Sequence, residues 1–363
     1  MSIALSDSPT KMSSKTGNSF LHGSLLVAAI TSVCSSGFLL FGYDQGIMSG
    51  VVISDFWLSS MGHSSTLMIG TITALYDVGA FLGAIAAAFT AEPLGRKRTL
   101  LLGATIVLIG AIIMGVSYER IQFMIARVIT GVGIGYITSV TPVYQSEISA
   151  AAQRGWQVCC QLTTMLFGLM LAYWINYGVY FHKSDFQWRF PLLFQAVFAI
   201  YILAITPWLP DTPRWLMRQD GNDERGLVVL TKLRGLEAEN EIVQREKDEI
   251  MEAITIESKE EGTWGDLFRG NGIAADKRFY LALGIQFMQQ MSGEWLYSCD
   301  WVGGANIKAT GINIVTYYAP TLFQDSLGMS QERSLLLGCF LQLFYILASF
   351  VTVRTRNPRI ATS

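Results

Sequence analysis

Two charges in this sequence stand where charges are costly, and they are its most informative residues. Asp44 lies in Gly37-Phe38-Leu39-Leu40-Phe41-Gly42-Tyr43-Asp44-Gln45-Gly46, at the end of one apolar run. Arg127 opens another, Arg127-Val128-Ile129-Thr130-Gly131-Val132-Gly133-Ile134-Gly135. An ionisable side chain inside a membrane-length segment is expensive and marks a pathway, a relay or a counter-ion. An arginine at that depth needs an anion, and Asp44 is the acid best placed by depth. The plainer reading of Asp44 is a helix end already in the headgroup zone. Phe41 and Tyr43 add aromatic faces, and the glycines allow close backbone approach. A second set, Arg96, Lys97, Glu147 and Arg154, falls at run ends on one side of the membrane. Together these four charges would form an ion-pair cluster that holds an inner gate shut. Asp77 also interrupts an apolar run; packing at the seam of the first two spans is its favoured role, proximity to a pathway the other.

These residues need apolar helices to position them. Hydrophobic residues make up 51% of the 363, charged residues only 15%, and mean hydropathy is +0.37. Soluble domains carry about a quarter charged residues. The apolar excess falls into runs long enough to cross a ~30 Å hydrocarbon core. Spans are predicted near 24–48, 66–90, 99–118, 121–144, 157–180 and 189–209, then near 277–324 with an interruption, and 333–352. Helices are expected because an open sheet edge cannot be satisfied in lipid. Lys11, Lys15, Arg96, Lys97, Arg98, Arg154 and the basic stretch 214–276 all lie on one side, while 49–65 holds no Lys or Arg. The N-terminus is therefore expected in the cytoplasm. Residues 222–259 carry Leu227, Leu230, Leu233, Leu236, Ile242, Ile250 and Ile254 among many charges. They read as amphipathic helices under the membrane, with a disordered linker as the alternative.

Several function classes are disfavoured. A net charge of −2 gives no basic face for nucleic acid. Four of the five cysteines lie inside apolar runs and the three histidines are scattered, so no disulfide framework, metal site or cofactor is expected. No nucleophile elbow or phosphate loop points to an enzyme.

Taken in order, six motifs give the chain a family resemblance. FGYDxGxxSG, RxxxGxGxG, PxYxxE with a following Arg154-Gly155, LPDTPRWL from Leu209 to Leu216, Gln289-Gln290, and Asn313-Ile314-Val315-Thr316-Tyr317-Tyr318-Ala319-Pro320 occur in one register. This pattern resembles the sugar porter family of the major facilitator superfamily and covers residues from about 37 to 350. The resemblance implies an all-α membrane fold with two six-helix halves about a central site. It implies sugar contacts at Gln289, Gln290 and Asn313, with Phe41 stacked on the sugar ring and Gln161 as a weaker candidate. It also implies proton coupling through Asp44 and Arg127, and a cytoplasmic gate of Arg96, Lys97, Glu147, Arg154, Asp211 and Arg214. Taken alone, Gln289-Gln290 also fits a hydrogen-bonding pair between packed helices.

The pattern is broken in three places. Glu92-Pro93-Leu94-Gly95-Arg96-Lys97 lacks one basic residue of the family loop. The family's glutamine after Arg154-Gly155 falls at Leu162, and Gln161 precedes it by about 100° of helix. Residues 294–311 split the Gln289–Asn313 motif, and their removal restores it in frame. They are expected to be translated intron sequence, the alternative being a genuine outer loop. The expected organisation is a cytoplasmic tail at 1–23, a six-helix bundle at 24–209 and a cytoplasmic helical linker at 210–275. A partial second bundle follows at 276–352, truncated after its second helix, then a tail unlike the family at 353–363. The expected function is sugar transport by alternating access, with proton symport, in the plasma membrane. The alternatives are a sugar-sensing receptor on the same fold and a truncated product that transports nothing.

Overall fold

The computed structural model describes residues 22–62, 65–149, 154–220, 223–259, part of 277–288, and 312–355. The described residues are helical, with no strand among them. α1 spans Ser24–Val51, α2 Asp55–Ser60, α3 Thr66–Leu94, α4 Arg96–Gly115, α5 Arg120–Ile148, α6 Arg154–Tyr180 and α7 Phe186–Ile205. After a short 3₁₀ turn come α8 Pro213–Asp220, α9 Asp223–Arg234 and α10 Glu241–Lys259, then α11 Ile312–Leu327 and α12 Gln331–Thr355. Among the described residues, seven helices are long and apolar enough to cross a membrane: α1, α3, α4, α5, α6, α7 and α12. The chain is thus an all-helical integral membrane protein, and the six predicted spans of the first bundle fall on α1 and α3–α7.

Glycines decide which helices touch. Without a hydrophobic drive inside lipid, helices associate by close packing of small residues. A Cβ on Gly79 or Gly83 of α3 would lie 2.4 or 2.1 Å from the Val128 or Val132 carbonyl oxygen of α5. Reciprocally, one on Gly131 or Gly135 would lie 2.2 Å from the Tyr76 or Ala80 carbonyl oxygen of α3. Gly133, between them, faces α4 instead and meets the Gly103 carbonyl oxygen. The alternating glycines of α5 thus serve two partners, because residues two apart on a helix point to different sides. α1 and α6 interlock in the same way through Gly42 against Met165 and Gly168 against Leu39. Both central helices are thereby fixed in height, and with them Asp44 and Arg127.

At the end of the bundle beside α8–α10, Gly95 turns the chain from α3 into α4 with φ of +84°. A side chain there would also strike Asp211 and Trp215. Thr212 caps α8, its hydroxyl accepting the Trp215 amide at 3.3 Å, with Pro213 at the first helical position. α9 buries Val229, Leu230 and Leu233, and α10 buries Val243. Leu236 and Ile242, expected on the apolar face, are exposed. Gly235 ends α9 before Leu236, so the helical period expected to carry that residue inward is broken. The start of α1 is tied to this layer by the Gly23 amide donating to the Lys232 carbonyl at 2.7 Å.

Two expectations fall on residues outside this description. Gln289, Gln290 and the segment 294–311 lie outside the described residues. Asn313 lies on the α11 backbone and Arg154 at the start of α6, and their side chains are outside it too.

Candidate functional site

The charges singled out in the spans meet. The Arg127 Nη1 lies 3.4 Å from Asp44 Oδ1, and both side chains are fully buried. The Tyr76 ring lies under the guanidinium, 4.7 Å from its Cζ, a cation–π contact that spreads part of the charge. The pair is incompletely satisfied: Asp44 Oδ2 and Arg127 Nε and Nη2 have no hydrogen-bond partner. Burial strengthens the attraction but makes each charge costly to desolvate, so a protonation event that neutralises Asp44 would release Arg127. Tyr43, beside Asp44, donates its hydroxyl to the Pro191 carbonyl of α7 at 2.9 Å. One turn further along α7, Gln195 is fully buried with neither amide atom bonded. The signal for Gln195 was its amide inside an apolar run; Tyr76 carried no such signal.

Asp77 was expected to pack at a helix seam, but its side chain is exposed. The face of α3 that enters the α5 seam carries Tyr76, Gly79 and Gly83, and one residue of offset turns Asp77 away from it by about 100°. Phe41 is half-buried against the α1 core. Gln161 is 2% exposed with neither amide atom bonded, whereas Leu162 is 50% exposed. The same offset sends the amide into the bundle and puts the leucine outward. Below Gln161, Gln157 accepts from the Gln145 amide at 3.0 Å, and Gln145 also donates to Thr31 at 3.1 Å. This buried network joins α1, α5 and α6.

The ends of α3 and α5 and the start of α4 are clamped by the turn before α8. Arg96 makes a two-pronged bond to Glu147, at 3.2 and 2.9 Å, and reaches Glu92 at 3.0 Å. Glu92 also pairs with Arg218 at 2.8 Å. Thr212 donates to Glu147 at 2.6 Å, Tyr144 donates to the Pro210 carbonyl at 2.6 Å, and the Trp215 indole donates to the Glu92 carbonyl at 2.7 Å. Lys97 does not join Glu147: its amine donates to the Pro207 carbonyl at 2.7 Å, and its backbone amide donates to Asp211 at 3.0 Å. Arg214 turns to Glu257 of α10. Lys97 and Arg214 are thus bonded outside the Arg96–Glu147 cluster, which Thr212 and Trp215 join instead. The Thr-Pro pair was the visible sign of the Thr212 cap.

Burial raises the Asp211 carboxyl above its usual range, and the Lys97 and Arg96 amides and charges pull against that shift. A group whose folded pKa is raised favours the docked turn at low pH, and that contribution is lost as pH rises through the raised value. Asp211→Asn keeps an acceptor for the Lys97 amide and should leave the turn docked with a flatter pH response. Asp211→Ala should strand that amide at a cost of about 1–3 kcal/mol. Limited proteolysis of the α7–α8 turn across pH distinguishes the two.

Glycine-locked helices around a buried ion pair, with an ion-paired clamp at one end and a helical linker, define a membrane protein of the major facilitator fold. The model of the family described as "Sugar (and other) transporter" matches residues 28–298, so the chain belongs to that family. It is 38% identical over 338 residues to the MFS-type transporter oryC of Aspergillus oryzae, covering 92% of this chain and 59% of that protein. It is 33% identical over 360 residues to the sugar transporter STL1 of Saccharomyces cerevisiae, covering 96% of this chain and 60% of that one. A solved structure of the proton:xylose symporter XylE, bound to 6-bromo-6-deoxy-D-glucose, superposes with a TM-score of 0.74 at 23% identity, covering 93% of this chain and 70% of that one. The chain thus spans about three fifths of the length of those two relatives.

Proposed function

We propose that this protein moves a monosaccharide-like sugar across the plasma membrane by alternating access, coupled to protons, with its N-terminus in the cytoplasm. The buried Asp44–Arg127 pair carries this reading. A fully buried charge pair between two spans is too costly to keep for packing alone, and protonating one partner changes it in a single step. Phe41, Gln289, Gln290 and Asn313 are the proposed sugar contacts, their amides matching hydroxyl donors and acceptors. Gln161, its buried amide bonded at neither atom, is the weaker candidate among them. Arg96, Glu147 and Asp211 form the proposed inner gate, with Lys97, Arg154 and Arg214 at its rim. Residues 24–209 form the first bundle, 210–275 the linker and 276–352 the start of the second. The basic loops support the orientation, and the sugar transporter among the relatives supports the substrate class.

The test is uptake of a labelled sugar panel into proteoliposomes, with and without an inward proton gradient and a protonophore. Saturable uptake of one sugar, driven uphill by the gradient and collapsed by the protonophore, is expected. Uphill accumulation indifferent to the protonophore would refute coupling, and no uptake of any sugar would refute the substrate class.

A further inference from the structure

At the end of the first bundle away from α8–α10, α1 is tied to its own neighbours. Asn176 of α6 donates to the Ile47 carbonyl at 3.0 Å, and a Cβ on Gly50 would lie 2.5 Å from that side chain's Cγ. Ser54, in the turn into α2, donates to Gln187 of α7 at 2.7 Å. These bonds join helices of one bundle. Gln331 does something different: its amide donates to the Ile53 carbonyl at 2.7 Å and so joins the α1–α2 turn to the first turn of α12. Ile53 lies between two helices, where carbonyls fall outside the intrahelical ladder. Further along α12, Ser334, Gly338 and Gln342 are buried on one face, a turn apart. At Gly338 the helices touch: a Cβ there would lie 2.8 Å from the Tyr173 ring of α6 and 3.5 Å from Pro320 of α11. Beside it, the Trp174 and Phe340 rings meet edge to face at 6.4 Å. α12 thus rests on α6 at one level and is hooked to the end of α1 at another. Gln331 lies two turns, about 10 Å, from Gly338 along α12. A rotation of about 15° about the Gly338 contact, the size of rigid-body rotations in switching proteins, moves Gln331 by about 2–3 Å. That carries it past hydrogen-bond reach and leaves the contact itself in place.

We propose that the Gln331–Ile53 bond is a latch between the two bundles, made when the pathway is shut at this end and broken when it opens, with the Gly338–Tyr173 contact as the pivot. This rests on the alternating-access reading above. In the orientation proposed there, the latched end is the outer one. A glutamine suits the task. Its amide bonds a backbone carbonyl without charge, so breaking the bond leaves no ion stranded in the seam. A neutral hydrogen bond contributes little net, so losing one shifts an equilibrium by roughly twofold to tenfold. The latch therefore biases the closed state without freezing it.

Two measurements on the full chain test this, both in a background with Cys34, Cys159, Cys160, Cys299 and Cys339 replaced by serine. First, Ile53→Cys with Gln331→Cys, joined by a short, reducible thiol cross-linker, should lose most of its sugar uptake and regain it on reduction. Trp174→Cys with Phe340→Cys, joined in the same way at the pivot, should keep its uptake. Uptake that survives the first cross-link, or that falls equally with both, would overturn the proposal. Second, Ser334→Cys, one turn from Gln331 and without exposed surface, reports opening of the seam. Adding Gln331→Ala should speed its reaction with a membrane-impermeant thiol reagent by roughly twofold to tenfold, the equilibrium shift expected for one lost bond. An unchanged rate would defeat the latch. The outcomes separate the two readings. If the parent chain takes up sugar and the first cross-link leaves uptake intact, the latch alone falls; if the parent takes up no sugar, the transport reading falls and takes the latch with it.

Discussion

Arg127→Leu alone should destabilise the first bundle by about 3–5 kcal/mol, because it leaves the Asp44 carboxylate buried without its cation. Neither side chain has any solvent exposure, so no water can take over the lost interaction without rearrangement. The Tyr76 face would lose its cation at the same time. Asp44→Asn should cost less in stability. It keeps an acceptor for Arg127, but strands a buried cation that Tyr76 only partly offsets. The double variant Asp44→Asn with Arg127→Leu should recover much of the loss of the arginine variant, since removing both charges removes both desolvation penalties. Thermal unfolding of the three variants in detergent gives the coupling directly. Additive losses would mean that the two residues do not act as a pair. In transport, Asp44→Asn should abolish proton-driven accumulation and spare exchange, because a permanently neutral side chain mimics the protonated state. Undiminished uphill accumulation in that variant would refute the coupling role.

Gly135→Val should prevent assembly of the bundle altogether. A Cβ at that position would lie 2.2 Å from the Ala80 carbonyl oxygen and 2.7 Å from the Ala84 amide nitrogen. Both obstacles are backbone, so no side chain can swing aside, and α3 and α5 would have to separate along their whole contact. Overpacking of a side-chain core costs about 1–3 kcal/mol, and a clash with backbone on a central helix exceeds that range. Gly70→Val on α3 is the control, since nothing lies within 4 Å of its Cβ position. The control should insert, fold and elute from size exclusion as the parent does. The Gly135 variant should be degraded or aggregated; a monodisperse, stable Gly135→Val protein would show that α3 and α5 do not lock through this face.

Residues whose role depends on local chemistry were legible in the sequence. Asp44 and Arg127 stood out because charge in an apolar run is costly wherever the chain goes. The spans were legible because bilayer thickness dictates their length. Their ends shifted by a few residues: α4 begins at Arg96 rather than near 99, because the left-handed Gly95 lets the helix start at once. The linker helices were legible in their charge and apolar repeat, but not in which apolar residues pack. Leu236 is exposed, while Val229 and Val243, not singled out beforehand, are buried.

Contacts between elements distant in sequence were not legible. Lys97 and Arg96 are adjacent, yet one helix step sends Arg96 to Glu147 and Lys97 to Pro207 and Asp211. Gln161 and Leu162 exchange inside for outside by the same step. Asp77 left the expected seam because the face of α3 that packs is set by where Gly79 and Gly83 find carbonyls on α5. Composition and spacing alone determined that the chain crosses a membrane as helices and which charges sit inside the spans. Only the tertiary structure decided which of those charges meet, because a helix turns each successive residue by about 100° and a partner helix chooses the face that counts.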